Sequence, residues 1–385
     1  EPFFLGVSKF LHLSALTSMF MFTSFLTMYY YYFRDSKRKS LFYFSAVLLA
    51  LGILTKIDAA IVGPINLSLI FFNEYRKSRF KKIILNIFLY SLTVASIFYL
   101  LFPAMWVAPF WVINKILTEG IHDTAFDSSG GESYTNIKAL YYFETFFFRS
   151  LPSSFIAFIL GLIILFLNRK KYSSHENKFF NWTLAYLLFN LVILTIPDKT
   201  KDRYLINLYP PMLFISALTF YEIIKFRIKT LKYLIVAATV SLYLFALYRY
   251  YPVYSFYYTE LIGGPSGITK LGLSIKNRGE YYAQAAQYIN KTDPKPEESN
   301  AVIVHREQVR TFGPFYYGKL YANPGLLPGN TNVDYLISRP DMNYLVPLDR
   351  CGLIKTFGPK DPLGYQEIFL YKCKDFNNKY KKFRN

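Results

Sequence analysis

The chain has 385 residues, 53% of them hydrophobic and 20% aromatic, with a formal charge of +19. So positive a chain has to be weighed as a nucleic-acid binder, but a nucleic-acid surface gathers its cations on one face, and here most are divided among short loops between apolar segments. The charge is therefore read mainly as a topology signal, which excludes nucleic acid as a partner and points to an integral membrane protein.

A helix rising 1.5 Å per residue needs about 20 residues to cross the hydrocarbon core of a bilayer. Eight crossings are expected, approximately Phe10–Phe33, Leu41–Thr55, Ile57–Phe72, Ile83–Phe102, Leu151–Asn168, Phe179–Ile196, Tyr204–Ile224 and Tyr233–Tyr250. Between them lie four basic clusters: Arg34, Lys37, Arg38 and Lys39; Arg76, Lys77, Arg79, Lys81 and Lys82; Arg169, Lys170, Lys171 and Lys178; Lys225, Arg227, Lys229 and Lys232. Retained cytoplasmic loops carry excess Lys and Arg. Setting these four inside puts Glu1, the loop 103–150, the turn Pro197–Arg203 and everything after Tyr251 outside. The outer loop agrees, since Glu119, Asp123, Asp127, Glu132 and Glu144 outnumber Lys115, Lys138 and Arg149. The first residues, Glu1-Pro2, carry no Met and no signal-peptide pattern. The chain is therefore expected to be a fragment whose missing part brings it to the outer face, through an odd number of crossings if the native start is cytoplasmic.

In chain order, the first chemistry-bearing group is Lys9, His12 and Ser14, at the outer mouth of the first helix. Positions 9, 12 and 13 share one helical face, with Ser14 turned away; on sequence alone these are ordinary interface residues. Next comes the tip between the second and third crossings, Thr55-Lys56-Ile57-Asp58. The sixteen residues 40–55 rise only about 24 Å as a helix, so Lys56 and Asp58 are expected at or slightly below the outer surface. Ionisable groups at that depth need a partner or a wet cavity, which makes them site candidates; the plainer reading is that Lys56 snorkels to the interface.

In the outer loop, Pro109–Thr118 reads as an amphipathic helix lying in the interface, either walling a lipid-facing site or serving as an anchor. Beyond it, His122-Asp123 and the glycine-containing stretch Ser128–Glu132 are read as a flap. At the mouth of the sixth and seventh crossings, Asp198, Lys199, Lys201, Asp202, Arg203 and Tyr204 set three cations outside, against the positive-inside bias. An anionic ligand such as a phosphate explains them, Arg offering a fork and Lys a point charge; a solvated turn is the alternative.

After Tyr251 the chain becomes rich in Gly, Pro and charge. A helix is expected over Glu280–Asn290, then a linker Lys291–Asn300 and strands at Ala301–His305, Tyr335–Ser338, Tyr344–Pro347, Leu353–Phe357 and Glu367–Tyr371. The expected fold is thus mainly α, a polytopic membrane helical bundle over residues 1–250 with a small extracytoplasmic α/β domain over 251–385. The two cysteines, Cys351 and Cys373, flank the last two strands, whose pairing as a hairpin brings the sulfurs together in an oxidising compartment. No CxxC or HxxxH spacing occurs, and His12, His122, His175 and His305 are scattered. No metal site and no cofactor are expected, with a divalent cation left open.

Several segments together resemble the lipid-linked-sugar glycosyltransferases of the GT-C class, closest to the protein O-mannosyltransferase and aminoarabinose-transferase-like superfamily. Residues 1–16, EPFFLGVSKFLHLSAL, resemble the segment by which that family enters a helix from outside, with Lys9 and Ser14 standing where the family has Arg and Asp. Gly52-Ile53-Leu54-Thr55-Lys56 resembles its G-x-x-x-T-K turn, one residue shorter. Phe102 through Pro109 resembles P-A-x-W-V-x-P, and Lys201-Asp202-Arg203-Tyr204 with Pro210-Pro211 resembles K-x-x-R-Y-x-x-P-x-x-P. Tyr251-Pro252 through Tyr257-Tyr258, Gly263-Gly264, Gly279-Glu280 and Ala285 through Ile289 resemble the region that opens the outer domain. Each motif is weak alone; their order, from residue 1 to about 290, is more specific.

The resemblance implies a GT-C-like bundle in the plasma membrane that moves a sugar from a polyprenyl-phosphate carrier to a protein, lipid or glycan on the extracytoplasmic side. It implies donor-phosphate binding by Lys56, Lys199, Lys201, Arg203 and Lys9, with His12, Ser14, Asp58, Asp202, Tyr204, His122 and Asp123 as further site residues. The family's principal catalytic acid sits on an outer loop upstream of Glu1, so no catalytic residue is assigned. Glycosyl transfer needs a leaving phosphate stabilised and a hydroxyl deprotonated, and cations at headgroup depth suit the first task. Two other readings stand beside it. A transporter also carries intramembrane charge, but inverted repeats are lacking and the outer domain is sizeable. A catalytically impaired subunit of the same fold fits Ser14.

Overall fold

The computed structural model describes residues 1–9, 13–34, 38–76, 79–120, 140–196, 201–225, 228–273, 275, 279, 281–304, 308–322, 331–361, 363–374 and 376. They form two compact units, Phe3–Tyr243 with Glu1 and Leu244–Asn385 with Pro2. The division falls inside a helix, seven residues before the boundary expected from composition.

The first unit is helical. Its elements are α1 (Pro2–Lys9), α2 (Ser14–Phe33), α3 (Lys39–Thr55), a 3-10 turn Ile57–Ile61 leading into α4 (Val62–Tyr75), and α5 (Phe80–Leu101). The short α6 (Ala104–Val107) and α7 (Pro109–Lys115) follow, then a π-turn Ile116–Gly120, α8 (Tyr141–Arg149), α9 (Pro152–Leu167) and α10 (Ser174–Thr195). A 3-10 turn Asp202–Asn207 precedes α11 (Tyr209–Ile224), and α12 (Lys229–Tyr250) completes the series. All eight apolar segments are helical over nearly all their described residues, 3-10 turns included. By length and composition four are able to cross a membrane: Ile57–Tyr75, α5, α10 and α12. A fifth joins them if α1 and α2, set at 114° to each other, count as one broken span. The shorter α3, α9 and α11 have 17, 16 and 16 residues, or about 24–26 Å, short of a ~30 Å core. One expectation is corrected here: Lys9 ends α1 and Ser14 begins α2, so residues 9 and 13 do not share a helical face.

Packing relies on small residues and on hydroxyls that bond from one helix to the next. Across α2 and α3 the Ser24 and Ser45 hydroxyls each donate to the other's carbonyl at 2.8 Å, and Asn66 of α4 donates to Ser24 Oγ and to the Tyr90 hydroxyl of α5 at 2.9 and 2.8 Å. Between α9 and α11, Thr219 Oγ1 donates to the Ala157 carbonyl at 2.7 Å, and a Cβ added at Gly161 would lie 2.3 Å from the Ile215 carbonyl oxygen. Small residues and cross-helix hydroxyls are what close approach in an apolar solvent requires. α5 buries only Ile83 and Tyr90 of its 22 residues. Ile84, Leu85, Phe88, Leu92, Tyr99, Leu100 and Leu101 are exposed, an apolar surface of the kind a helix turns to lipid. A capping box starts α10: Ser173 Oγ accepts from the Glu176 amide and Glu176 Oε2 accepts from the Ser173 amide, fixing the helix start beside Arg169–Lys171.

The second unit holds a five-stranded sheet of β1 (Asn300–Ile303), β2 (Lys319–Tyr321), β3 (Tyr335–Ser338), β4 (Cys351–Phe357) and β5 (Ile368–Cys373), in the order β2-β1-β3-β5-β4. β1 runs parallel to β2 and β3, while β5 is antiparallel to β3 and β4, with a bulge between Leu353 and Lys355. Side chains alternate with the pleat. Ala301, Ile303, Tyr335, Ile337, Ile368 and Leu370 face a core shared with the helix α14 (Tyr282–Thr292), reached after the short α13 (Pro265–Lys270). Val302, Leu336, Tyr371 and Cys373 fill the other face. The stretch Tyr344–Pro347, expected as a strand, instead follows from a 3-10 turn over Pro340–Leu345; its alternation is too short to outweigh the preceding proline turn. β2 was not anticipated, having only three residues.

Cys351 and Cys373 are disulfide-bonded, at opposed register positions of β4 and β5 with Cα atoms 4.0 Å apart. The bond closes a loop with a sequence separation of 22. Restricting such a loop in the unfolded chain is worth about 3 kcal/mol. The paired substitution Cys351→Ser with Cys373→Ser is therefore expected to lower the thermal midpoint of the second unit; a midpoint identical with and without reductant in the parent protein would contradict this.

A buried charge cluster ties the last turn of α12 to the rest of this unit. Arg249 Nη2 donates to Asp361 Oδ1 at 2.7 Å, and Asp361 Oδ2 accepts from Ser266 Oγ at 2.7 Å. Gly264, at φ +69°, leaves the room this needs, because a Cβ there would stand 2.6 Å from Arg249 Nη2. Glu260 lies 4.0 Å from Arg249 Nη1 and accepts from the Tyr257 hydroxyl at 2.5 Å. Burial raises its pKa above the ordinary 4.5, against smaller lowering by Tyr257 and Arg249. A raised value means that the folded state holds the proton more tightly than the unfolded chain. This group's stabilisation is then present at acid pH and lost as pH rises through the folded pKa. Glu260→Gln is expected to raise the thermal midpoint at pH 7 and to leave it unaltered near pH 4, which melting curves at both values will check.

Candidate functional site

Four separate segments of the first unit converge at the end where α2 starts and α3 stops. Lys56 terminates α3 in extended conformation, φ −162° and ψ +130°, with its amide still bonded to the Gly52 carbonyl at 2.9 Å. The chain therefore leaves the helix at this residue and enters the 3-10 turn carrying Asp58. Lys56 Nζ forms an ion pair with Asp58 Oδ2. The same ammonium sits over the ring of Tyr204, 4.0 Å from its centroid, and the Arg203 guanidinium carbon lies 5.7 Å from that centroid. One aromatic ring thus gathers cations from positions 56 and 203. The Lys56 and Asp58 side chains are 21% and 15% exposed, so this pair is partly withdrawn from solvent. Arg203 Nε is shielded from solvent and has no hydrogen-bond partner among the described residues.

Beneath this layer the turn Asp202–Asn207 is anchored on both sides. Asp202 Oδ2 lies 3.1 Å from Arg149 Nη2, with both side chains buried, and the Arg149 guanidinium packs over the Phe3 ring with its carbon 4.8 Å from the centroid. The Tyr209 hydroxyl donates to the Arg149 carbonyl at 3.0 Å. Across the turn, Ser18 Oγ of α2 donates to the Ile206 carbonyl at 2.9 Å. Thr17 of α2 and Thr55 of α3 share a hydrogen bond of 2.9 Å, which fixes the helix ends to each other. The buried Tyr142 hydroxyl of α8 is pushed well above its ordinary pKa by burial first, with Tyr141, Tyr204 and Asp58 acting in the same direction. It remains a protonated donor at neutral pH.

An apolar groove of about 370 Å³ begins at the same turn, lined by Ile53, Ile57 and Ala60 and continuing along Val94, Ala95 and Phe98 of α5. Such a groove suits a hydrocarbon chain whose polar end lies near Lys56. A larger cavity, about 670 Å³, lies at the opposite end of α2 and not at this cluster.

Of the residues singled out in the sequence, Lys56, Asp58, Arg203 and Tyr204 are brought together. Asp202 serves the layer below through Arg149, and Ser14 is buried at the start of α2. Lys201 stands half-buried next to Asp202, while Lys9 ends α1 in an exposed position. His12, His122, Asp123 and Lys199 lie outside the described residues. Arg149 and Tyr142 were missed. For Arg149 the signal was present, since it is a cation outside the basic loops, the same anomaly that marked residues 199–203. Among the described residues no three of His, Cys, Asp and Glu gather as a metal-ligand group would. Comparison with family models, with curated proteins and with solved structures found no match.

Proposed function

We propose that the chain is a membrane glycosyltransferase of the GT-C class, moving a sugar from a polyprenyl-phosphate carrier to a protein, lipid or glycan hydroxyl on the extracytoplasmic face of the plasma membrane. The observation that carries this reading is the meeting of Lys56 and Arg203 on the Tyr204 ring, beside an apolar groove. A phosphate headgroup there would meet two cations and the unpartnered Arg203 Nε, with its isoprenoid tail in the groove. In the transfer the bond from sugar C1 to the phosphate oxygen breaks, its electron pair passing to the phosphate. The acceptor oxygen bonds C1, and the hydroxyl proton passes to a base. Cations held at the phosphate stabilise the charge that develops as this bond breaks.

A second reading is a catalytically impaired subunit of the same fold. It is favoured by the two carboxylates of the site, Asp58 engaged by Lys56 and Asp202 engaged by Arg149. Full-length protein in vesicles, given a polyprenyl-phosphate sugar labelled in the sugar, tests both. Transfer of label with release of carrier phosphate is expected; donor binding with no release favours the impaired subunit, and no binding overturns both.

A further inference from the structure

We propose that the first unit holds a specific anionic phospholipid at the end bearing the basic loops, with one acyl chain in the cavity between α2, α10 and α11 and the lipid phosphate at Arg34. The inference rests on the membrane part of the proposed function and not on glycosyl transfer.

The cavity, of about 670 Å³, falls within the roughly 300–1,000 Å³ range of ligand pockets. Its walls are Leu26, Tyr29, Phe179, Phe180, Phe214 and Leu218, and its mouth carries Arg34, His175 and Glu176. The walls are braced from within. Tyr29 stacks on Phe33 at 4.5 Å and meets Phe179 edge-on at 5.3 Å, Phe179 meets Phe214 at 6.0 Å, and the Tyr29 hydroxyl donates to the His175 carbonyl at 3.1 Å. An aromatic wall fixed at several points does not close over the space it borders.

Charge decides the occupant. Glu176 spends Oε2 on the Ser173 amide in the capping box. Nearby, Glu222 accepts from Lys225 at 2.8 Å and from the Tyr172 hydroxyl at 3.0 Å. Arg34 makes no ion pair among the described residues, and it lines the cavity directly. Three of the four basic loops, those beginning at Arg34, Arg169 and Lys225, adjoin elements that form this space. Apolar volume calls for hydrocarbon, a guanidinium with no ion pair among the described residues calls for an anion, and a bilayer leaflet supplies both in one molecule.

The test uses full-length protein, delipidated in detergent and offered phosphatidylglycerol or phosphatidylcholine with identical acyl chains, with retained lipid counted by native mass spectrometry. Retention of phosphatidylglycerol is expected to exceed that of phosphatidylcholine by about fivefold, the effect of one interfacial cation. Arg34→Gln is expected to abolish this preference, and Ala217→Phe, which puts a ring into the cavity, to reduce retention of both lipids. Equal retention of the two lipids by the parent protein, or a preference untouched by Arg34→Gln, overturns the proposal. So does retention of detergent alone. Each of these results leaves the sugar-transfer reading standing, since none depends on turnover.

Discussion

Lys56→Ala is expected to reduce release of the carrier phosphate by about 10²–10³-fold, the usual cost of removing one preorganised donor from developing charge. The bundle should survive the change. Lys56 is at an extended helix end, and its contacts include Asp58 and the face of Tyr204. Two controls separate chemistry from architecture. Lys56→Arg keeps the cation and should retain a measurable part of the activity, whereas Asp58→Asn removes the pairing carboxylate and tests whether the ammonium must be held in place. Arg203→Ala is expected to act in the same direction, because its guanidinium shares the same ring. Unchanged turnover in both Lys56→Ala and Arg203→Ala, in protein that still binds donor, removes the phosphate-gripping role from this cluster.

The largest effect on stability is expected from Arg249→Ala. Its partner Asp361 is fully buried, with a carboxylate that also accepts from Ser266. Deleting the guanidinium leaves a charge in a poorly solvated place, at a cost of about 3–5 kcal/mol. A unit of this size should then melt roughly 10 °C lower. The reason is the unpaired charge rather than the net worth of the pair, so the double variant Arg249→Met with Asp361→Leu should recover most of the loss. Hydrogen exchange across residues 249–268 supplies the local readout, with faster exchange in the single variant. A single variant that melts with the parent would show that Asp361 does not depend on Arg249 for its stability.

Legibility in the sequence followed the strength of the physical signal. The apolar segments were found because hydrophobic runs and basic loops repeat over many residues, and the strand candidate Tyr335–Ser338 has the bounds of β3, where the structure buries all four side chains. The link from Cys351 to Cys373 was suggested by cysteines flanking the last two strand candidates and depended on those strands pairing as a hairpin, which they do. β2 was not, since three residues give no period to detect. Tyr344–Pro347 misled for the related reason that β-rich composition over so short a stretch yields to the turn before it. At the site, Lys56 stood out as a charge where charge is costly, and Arg203 as a cation outside against the positive-inside bias. Their meeting on Tyr204, 148 residues along the chain from Lys56, is a matter of tertiary packing that no local pattern encodes. The break between α1 and α2, which separates Lys9 from Ser14, was equally hidden, because both sides of it are helix formers.

The five-stranded sheet ends in β2, only three residues long, and in β4, whose ladder is interrupted between Leu353 and Lys355 and locked at one end by the disulfide. Neither border presents the long, flat row of unpaired amides and carbonyls onto which a foreign strand adds. Crowded copies of the protein therefore meet, at the described borders of this sheet, only a very short strand and a bulged one, both poor starting points for strand-by-strand growth of fibrils.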